Sequence, residues 1–293
     1  TFLITNIILH YPPEFIDNCY QEYIEALFDQ LPNNQSVIST LARFTSDQIY
    51  TILITSDKLN EFISYILTLS STYRSDYCKV LSLLLAKDPL IANDIVSDII
   101  DCDVSSNLDI CLVLLQSTTP EQFESEKVNS LILAILQYLR KQLRFYCSSQ
   151  LQELIKQLIP EMNKHLKETI STLDFNFIDE NLIGSLLAYC KQQSDQQNLI
   201  DFLELLCIND RLRMAFYQFT YWSPAIRDSF GERKNLAMVQ SFIKVTLTYK
   251  DRIRENAEIV TQSFPYKASA SSLFEWLNDY PNLFELFYEA EDS

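Results

Sequence analysis

Glycine is nearly absent from the sequence: Gly184 and Gly231 are the two examples among 293 residues. Average proteins contain about 7% glycine. Tight β-hairpins and phosphate-binding loops use glycine where the backbone takes positive φ angles or approaches a ligand closely. Neither G-x-x-x-x-G-K-[S/T] nor G-x-G-x-x-G occurs. The scarcity leaves little room for hairpins or nucleotide-binding loops and favours helices joined by short turns.

Histidine is equally scarce, with His10 and His165 alone. Nucleophilic catalysis needs a base beside a serine or cysteine, and a zinc site needs clustered ligands. Neither histidine has a histidine or cysteine neighbour, and no H-E-x-x-H motif occurs. We expect His10 in a turn and His165 on a solvated helix face. We predict no catalytic residue, no metal site and no cofactor, and therefore a protein that is not an enzyme.

The seven cysteines are odd in number and include no C-x-x-C pair. Cys190 and Cys207 follow apolar helical residues, where a free cysteine behaves as a small buried hydrophobe. Disulfides are rare in the cytosol and nucleus. The pattern predicts reduced structural thiols in a cytoplasmic or nuclear protein.

Long apolar runs are missing as well. The densest, LSLLLA at 81–86 and LILAIL at 131–136, are far shorter than the roughly 18 residues that suggest a membrane span. No secretory signal pattern precedes them. We expect a soluble protein without a membrane span. Because the sequence starts with threonine, we also expect it to be a piece of a longer protein.

Helical periodicity is present almost everywhere. Residues 148–170 carry one apolar stripe at i, i+3, i+4, i+7 and i+8 spacing. Ser148 or Ser149 can cap its start, and Pro160 predicts a kink or a break. Residues 126–145 carry a similar stripe. Its members are Val128, Leu131, Ile132, Ile135, Leu136, Leu139 and Leu143.

Helix starts are marked by a capping residue followed by proline or an acidic turn. Asp88 precedes Pro89, and Thr119 precedes Pro120. The ranges 56–69 and 194–208 each begin with a Ser-Asp pair. We predict 14 to 16 helices of 10 to 20 residues and no confident strand.

Many amphipathic helices joined by short turns are typical of α-solenoids, in which helix pairs stack one on the next. Helix pairs recur about every 35 to 45 residues, although the residues do not repeat. The chain therefore resembles the irregular HEAT or armadillo type of α-solenoid in its architecture. The resemblance implies an all-α fold, with residues 1–293 forming one elongated helical-repeat domain. A compact multi-helix bundle is the alternative.

Negative charge dominates the chain, which carries a net charge of −16. Residues 1–120 contain 5 basic and 15 acidic side chains, a net −10, whereas residues 221–254 contain 7 basic and 3 acidic, a net +4. An acidic chain repels nucleic-acid phosphates at long range. The distribution argues against wholesale nucleic-acid binding but allows one local basic patch.

The basic stretch follows an aromatic one, since residues 216–222 contain five aromatic side chains. We call residues 217–254 the basic–aromatic block. Tyrosine, tryptophan and arginine are enriched in interface hot spots, and basic residues suit an acidic, phosphorylated or helical segment of a partner. A structural corner of the fold is the alternative. The candidate partner-binding residues are Tyr217, Tyr221, Trp222, Arg227, Arg233, Lys234, Lys244, Lys250, Arg252 and Arg254.

Three hypotheses of function follow. The first is a non-enzymatic scaffold or adaptor domain that mediates protein–protein interaction within a larger complex, with the basic–aromatic block as one contact surface. The second is a nucleic-acid-associated factor that uses the same block. The third is a helical regulator of a GTPase or kinase. Nucleic-acid sites usually spread their basic residues over a long track, so the confinement of this block favours the first.

Overall fold

The computed structural model describes residues 17–222, with gaps at 56–57, 67–70, 103, 144–147 and 191–196, and also Ser241, Lys244, Val245 and Thr248. Within these ranges the protein is all-α and contains no strand. Its packing divides the chain into two compact units, Thr1–Ile135 and Leu136–Ser293. The prediction of one elongated domain over residues 1–293 stays a prediction.

The first unit contains seven complete helices in its described part and the start of an eighth. They are α1 (Asp17–Gln30), α2 (Ile38–Leu41), α3 (Ser46–Thr55), α4 (Leu59–Ile66), α5 (Arg74–Leu85), α6 (Ile91–Cys102), α7 (Leu108–Ser117) and α8 (Ser125–Gln142). Turns of 3₁₀-helix at Gln35–Val37, Ser71–Tyr73 and Val104–Ser106 precede α2, α5 and α7.

Helices of the first unit pack mainly on the next helix but one. Helix α1 contacts α3, α3 contacts α5, and α5 contacts α7. The apolar stripes of these helices form the core. Ile24 of α1, Leu53 of α3, Leu84 of α5 and Leu114 of α7 are each fully buried.

The described part of the second unit continues with α9 (Ser149–Thr169), α10 (Glu180–Cys190), α11 (Gln197–Leu206) and α12 (Asp210–Trp222). The same alternation recurs, because α9 packs on α11 and α10 packs on α12. The N-termini of α10 and α12 are neighbours: the Arg211 guanidinium donates hydrogen bonds to the carbonyl oxygens of Phe175 and Ile178, just before α10 begins.

Helix α9 confirms the sequence prediction for residues 148–170. Ser148 is its N-cap, and its hydroxyl accepts a hydrogen bond from the Leu151 amide at 3.3 Å. Ile155, Leu158, Ile159, Met162 and Leu166 are buried, as their spacing predicted. Of the kink or break predicted at Pro160, the break is wrong, because α9 runs through that residue, and the kink stays a prediction. The helix continues despite the missing proline N–H donor, and buried stripe residues lie on both sides of Pro160.

Two predicted helix starts are displaced. The Asp88 carboxylate accepts a hydrogen bond from the Leu90 amide and closes a local turn, so α6 begins at Ile91. The Thr119 carbonyl accepts bonds from the Gln122 and Phe123 amides in a separate turn, and α8 begins at Ser125. In both places the capping residue orders a turn that precedes the helix.

Side-chain hydrogen bonds and ion pairs between helices within each unit link residues at nearly one sequence separation. Among the described residues these separations run from 29, for Lys58 and Asp29, to 40, for Lys87 with Asp47 and for Lys244 with Glu204. Pairs at intermediate separations include Lys127–Ser97, Glu124–Asn93, Arg74–Asn107, Tyr65–Leu31, Asn163–Asn198, Arg211–Phe175, Tyr189–Gln152, Ser39–Asp76, Tyr50–Asp88 and Arg140–Asp179. A separation of this size equals the number of residues in one pair of helices together with its turns.

Buried asparagines make several of these connections. Asn93 accepts a hydrogen bond from the Glu124 amide at 3.0 Å, and Asn163 donates one to the Asn198 carbonyl at 2.7 Å. The Asn107 side chain accepts from the Arg74 guanidinium at 2.7 Å. An amide can satisfy a backbone group that would otherwise be buried without a bond. These three asparagines therefore connect segments that are 31 to 35 positions apart in the chain.

Candidate functional site

The basic–aromatic block is described in part. Tyr217, Tyr221 and Trp222 lie in the last turns of α12, and their side chains fall outside the described set. Lys244 is described with its side chain. The remaining six candidates, Arg227, Arg233, Lys234, Lys250, Arg252 and Arg254, lie outside the described residues. The prediction that the block binds a partner stays a prediction.

Helix α12 orients the start of the block. Leu212 and Phe216, predicted as core, are fully buried. Arg213, beside Leu212, is also buried, with 1% of its surface exposed. Its guanidinium donates to the Cys207 carbonyl at 3.1 Å and to the Asp210 carboxylate at 2.6 Å. The N-terminal half of α12 is therefore anchored by apolar packing and by one buried cation.

Lys244 lines an open groove of about 350 Å³ within the second unit. We call it the α9–α11 groove, because Lys167 of α9 and Asp201, Glu204 and Leu205 of α11 form its other walls. Val245 and Thr248 complete the described lining on the side of Lys244. A volume of this size lies at the lower end of the range for ligand pockets.

Charge in the α9–α11 groove is balanced between two lysines and two carboxylates. The Lys244 ammonium forms an ion pair with Glu204. Its side chain is 66% exposed, whereas that of Glu204 is 15% exposed. The hydrogen bond to Glu204 is the main reason that the pKa of Lys244 is raised, and the nearby Asp201 charge adds to it. Asp201 is itself bonded, accepting from the Gln197 side chain at 2.7 Å.

Lys167 is the cation in the groove that has no partner among the described residues. It is exposed, in the last turn of α9. The sequence prediction missed Lys167 for two reasons. It lies far from the basic–aromatic block in the chain, and it lies on the polar side of a helix that was recognised by its apolar stripe. Only the packing of α9 on α11 brings it beside Asp201, Glu204 and Lys244.

The burial of His165 differs from what the sequence predicted. Its predicted position was a solvated helix face, but it is fully buried on α9. The prediction was wrong because it relied on the charged residues that flank His165 in the sequence. His165 lies between Met162 and Leu166 at the margin of the buried stripe, and α9 is covered over a wider arc than its apolar residues alone mark.

The cysteines of the described part differ in environment. Cys78, Cys102, Cys111 and Cys207 are free thiols; Cys102 is exposed, while Cys111 and Cys207 are buried. Burial raises the pKa of Cys111 to about 12 and that of Cys207 further, and it raises the pKa of Cys78 to about 12. A thiol held protonated is a poor nucleophile, so these three are unsuited to catalysis near neutral pH.

Alkylation should separate these thiols. We expect iodoacetamide at neutral pH to modify Cys102 rapidly and Cys111 at least on the order of 100-fold more slowly, since Cys111 is both buried and protonated. Mass spectrometry of the alkylated peptides measures the two rates, and unfolding in urea serves as the control in which they converge. Equal rates in the folded protein would contradict the burial of Cys111.

Neither a metal centre nor a membrane helix is found in the described ranges. No group of three or more histidine, cysteine or acidic side chains there is arranged to hold a metal ion. No helix there is both long enough and apolar enough to cross a bilayer.

Comparison with known proteins returned no family model, no curated protein and no solved structure that matches the chain.

Proposed function

We propose that the chain is a non-enzymatic scaffold or adaptor that binds another protein as part of a larger complex, and that it is an irregular α-solenoid of HEAT or armadillo type. The common separation of 29 to 40 residues between bonded positions carries the proposal. In stacked repeats each helix pair contacts its neighbours alone, and this arrangement produces contacts of one characteristic separation.

The alternating packing of helices supports the same architecture. The pairings of α9 with α11 and of α10 with α12 are those expected of two stacked helical layers. Stacked helix pairs offer an extended surface along which a peptide or helix of a partner can lie. Such a surface acts through its shape and charge and requires no catalytic group.

The partner-binding surface in this proposal is the basic–aromatic block, and its partner is a protein with an acidic segment. The block carries a net +4 in a chain of net −16. Charge complementarity of this kind steers association and sets specificity. The free, buried thiols Cys111 and Cys207 support a reducing compartment, the cytoplasm or nucleus.

A charge-reversal variant tests the surface. We expect Arg227→Glu, Lys250→Glu, Arg252→Glu and Arg254→Glu together to abolish capture of a specific partner protein, because the block changes from a net +4 to a net −4. The measurement is affinity capture from cell extract followed by mass spectrometry, with nuclease treatment as a second arm.

The matched control reverses four lysines outside the block: Lys79, Lys87, Lys141 and Lys156. Both variants must retain the helical circular dichroism and the melting temperature of the wild type. Unchanged capture by the block variant would contradict the proposed surface. Capture that is lost on nuclease treatment would instead identify a nucleic-acid-associated factor.

A further inference from the structure

Four described residues of the basic–aromatic block share one face of a helical segment. Ser241, Lys244, Val245 and Thr248 are each helical, and their spacing of i, i+3, i+4 and i+7 places them on one side. The Thr248 hydroxyl donates a hydrogen bond to the Lys244 carbonyl oxygen at 2.8 Å. Ser241 and Val245 are 2% and 3% exposed. This face of the block is therefore packed into the fold along one edge.

Among the described residues, α11 is the helix bonded to this face. Val245 lines the α9–α11 groove together with Leu205 of α11. The Lys244 ammonium forms an ion pair with Glu204 of the same helix. Their separation of 40 positions lies in the range found for other bonds between helices of the chain. The contact between the block and α11 thus has the same character as the contacts that build the fold.

The two parts of this contact contribute differently. The buried Val245 supplies apolar packing, whereas the Lys244 side chain is 66% exposed and contributes through its charge. Glu204 is 15% exposed, and its hydrogen bond is the main reason that the pKa of Lys244 is raised. The ammonium therefore stays charged near neutral pH and remains a donor for Glu204. An exposed ion pair shifts an equilibrium only about two- to five-fold, which is enough to set the place of a segment already held by Val245.

We propose that Lys244 is a positioning residue of the basic–aromatic block and not one of its partner contacts: together with Val245 it docks the block on α11 through Glu204. The acidic segment of the partner then meets other basic residues of the block. This inference rests on the proposed function, since it divides the proposed surface into a docked part and a part that faces the partner. Its consequence is that Lys244 affects partner binding only through Glu204.

Hydrogen–deuterium exchange of the full chain tests the docking. The measurement is the exchange of the peptide that covers residues 241–248, followed by mass spectrometry. We expect exchange about three-fold faster in Glu204→Gln and in Lys244→Met, because each breaks the ion pair. Val245→Ala should accelerate it on the order of ten-fold, because it removes buried methyl groups.

Glu153→Gln is the matched control for the exchange measurement. It makes the same charge change on α9, where Glu153 pairs with Lys156 at 3.7 Å outside the lining of the groove. Exchange of the 241–248 peptide should stay at the wild-type rate in this variant. Equal exchange in the wild type and in Glu204→Gln, Lys244→Met and Val245→Ala would show that this segment is not docked on α11 and would overturn the inference.

A double-mutant cycle tests the positioning role. The probe is a fluorescein-labelled oligo-glutamate peptide, and the measurement is fluorescence anisotropy with the full chain. We expect Lys244→Met to weaken binding about two-fold in the wild type and to cause no further loss when Glu204→Gln is already present. A residue that contacts the probe directly would keep its full cost in both backgrounds. That result, or the absence of any effect of Lys244→Met in the wild type, overturns the inference.

The fourfold block variant of the proposed function separates the two proposals. If it loses the probe while Lys244→Met has its full cost in both backgrounds, the proposed function stands and the positioning role alone is overturned. If the wild type does not bind the probe, or if the fourfold variant binds it as tightly as the wild type, the acidic partner is overturned. The positioning role is then overturned with it, because no binding by the block remains for Lys244 to support.

Discussion

Phe62→Ala is expected to lower the free energy of unfolding by about 3–5 kcal/mol. Phe62 lies on α4 with 3% of its surface exposed. Its ring packs edge to face on Phe28 of α1 and is stacked on Tyr77 of α5, each at a centroid distance of 5.3 Å. Truncation leaves a cavity at the junction of three helices and removes both aromatic pairs, each worth about 0.5–1.5 kcal/mol beyond its buried area.

Urea unfolding followed by circular dichroism measures this loss. Phe62→Leu should cost less, about 1–2 kcal/mol, because it retains most of the buried volume. Phe177→Ala is the control for the same change on a surface residue, since Phe177 is 61% exposed; its effect should stay within about 0.5 kcal/mol. Equal effects of Phe62→Ala and Phe177→Ala would show that Phe62 does not join these helices.

Arg213→Ala has the second large expected effect, a loss of about 2–4 kcal/mol. The side chain of Arg213 is almost wholly buried beside Phe216, and its guanidinium bonds to Cys207 and Asp210. Alanine leaves a cavity and deprives the Cys207 carbonyl of this donor. Asp210 is 55% exposed and stays solvated, so the cost arises from the packing of the side chain and the carbonyl rather than from a stranded carboxylate.

Arg213→Met distinguishes these two contributions in the same unfolding experiment. If packing of the stem dominates, methionine should restore most of the lost stability; if the hydrogen bonds dominate, a loss of about 1–3 kcal/mol remains. Arg211→Met provides the comparison two residues earlier, where the side chain is 44% exposed. A cost for Arg213→Ala no greater than that for Arg211→Met would contradict the buried anchor.

Local sequence patterns predicted the helices well, because apolar spacing and capping act over a few residues. The stripes of α8 and α9 and the cap at Ser148 lie where the spacing placed them. The errors in the predicted helix starts at Asp88 and Thr119 also arise from interactions over a few residues. A residue that could cap a helix can order an isolated turn instead, through its side chain at Asp88 and through its backbone carbonyl at Thr119. Only the packing of the following residues decides which of the two forms.

The α9–α11 groove was predicted in part. The charge pattern of the sequence predicted that Lys244 belongs to a basic block. It did not predict that Glu204 pairs with Lys244 or that Lys167 lies beside both. Glu204 is 37 positions from Lys167 and 40 from Lys244, and a further helix intervenes in the chain in each case. Their proximity depends on how the helices stack, which no local spacing encodes.

The sequence by itself determined the secondary structure of the described part: scarce glycine, helical periodicity and capping residues lead to helices, because these preferences are set within one or two turns of the chain. Tertiary structure alone decided which polar side chains became buried or paired. His165 and Arg213 look like surface residues in the sequence, yet both are buried. Neighbouring helices cover more of each helix than its apolar stripe marks, and a buried cation is retained where backbone and carboxylate oxygens meet its donors.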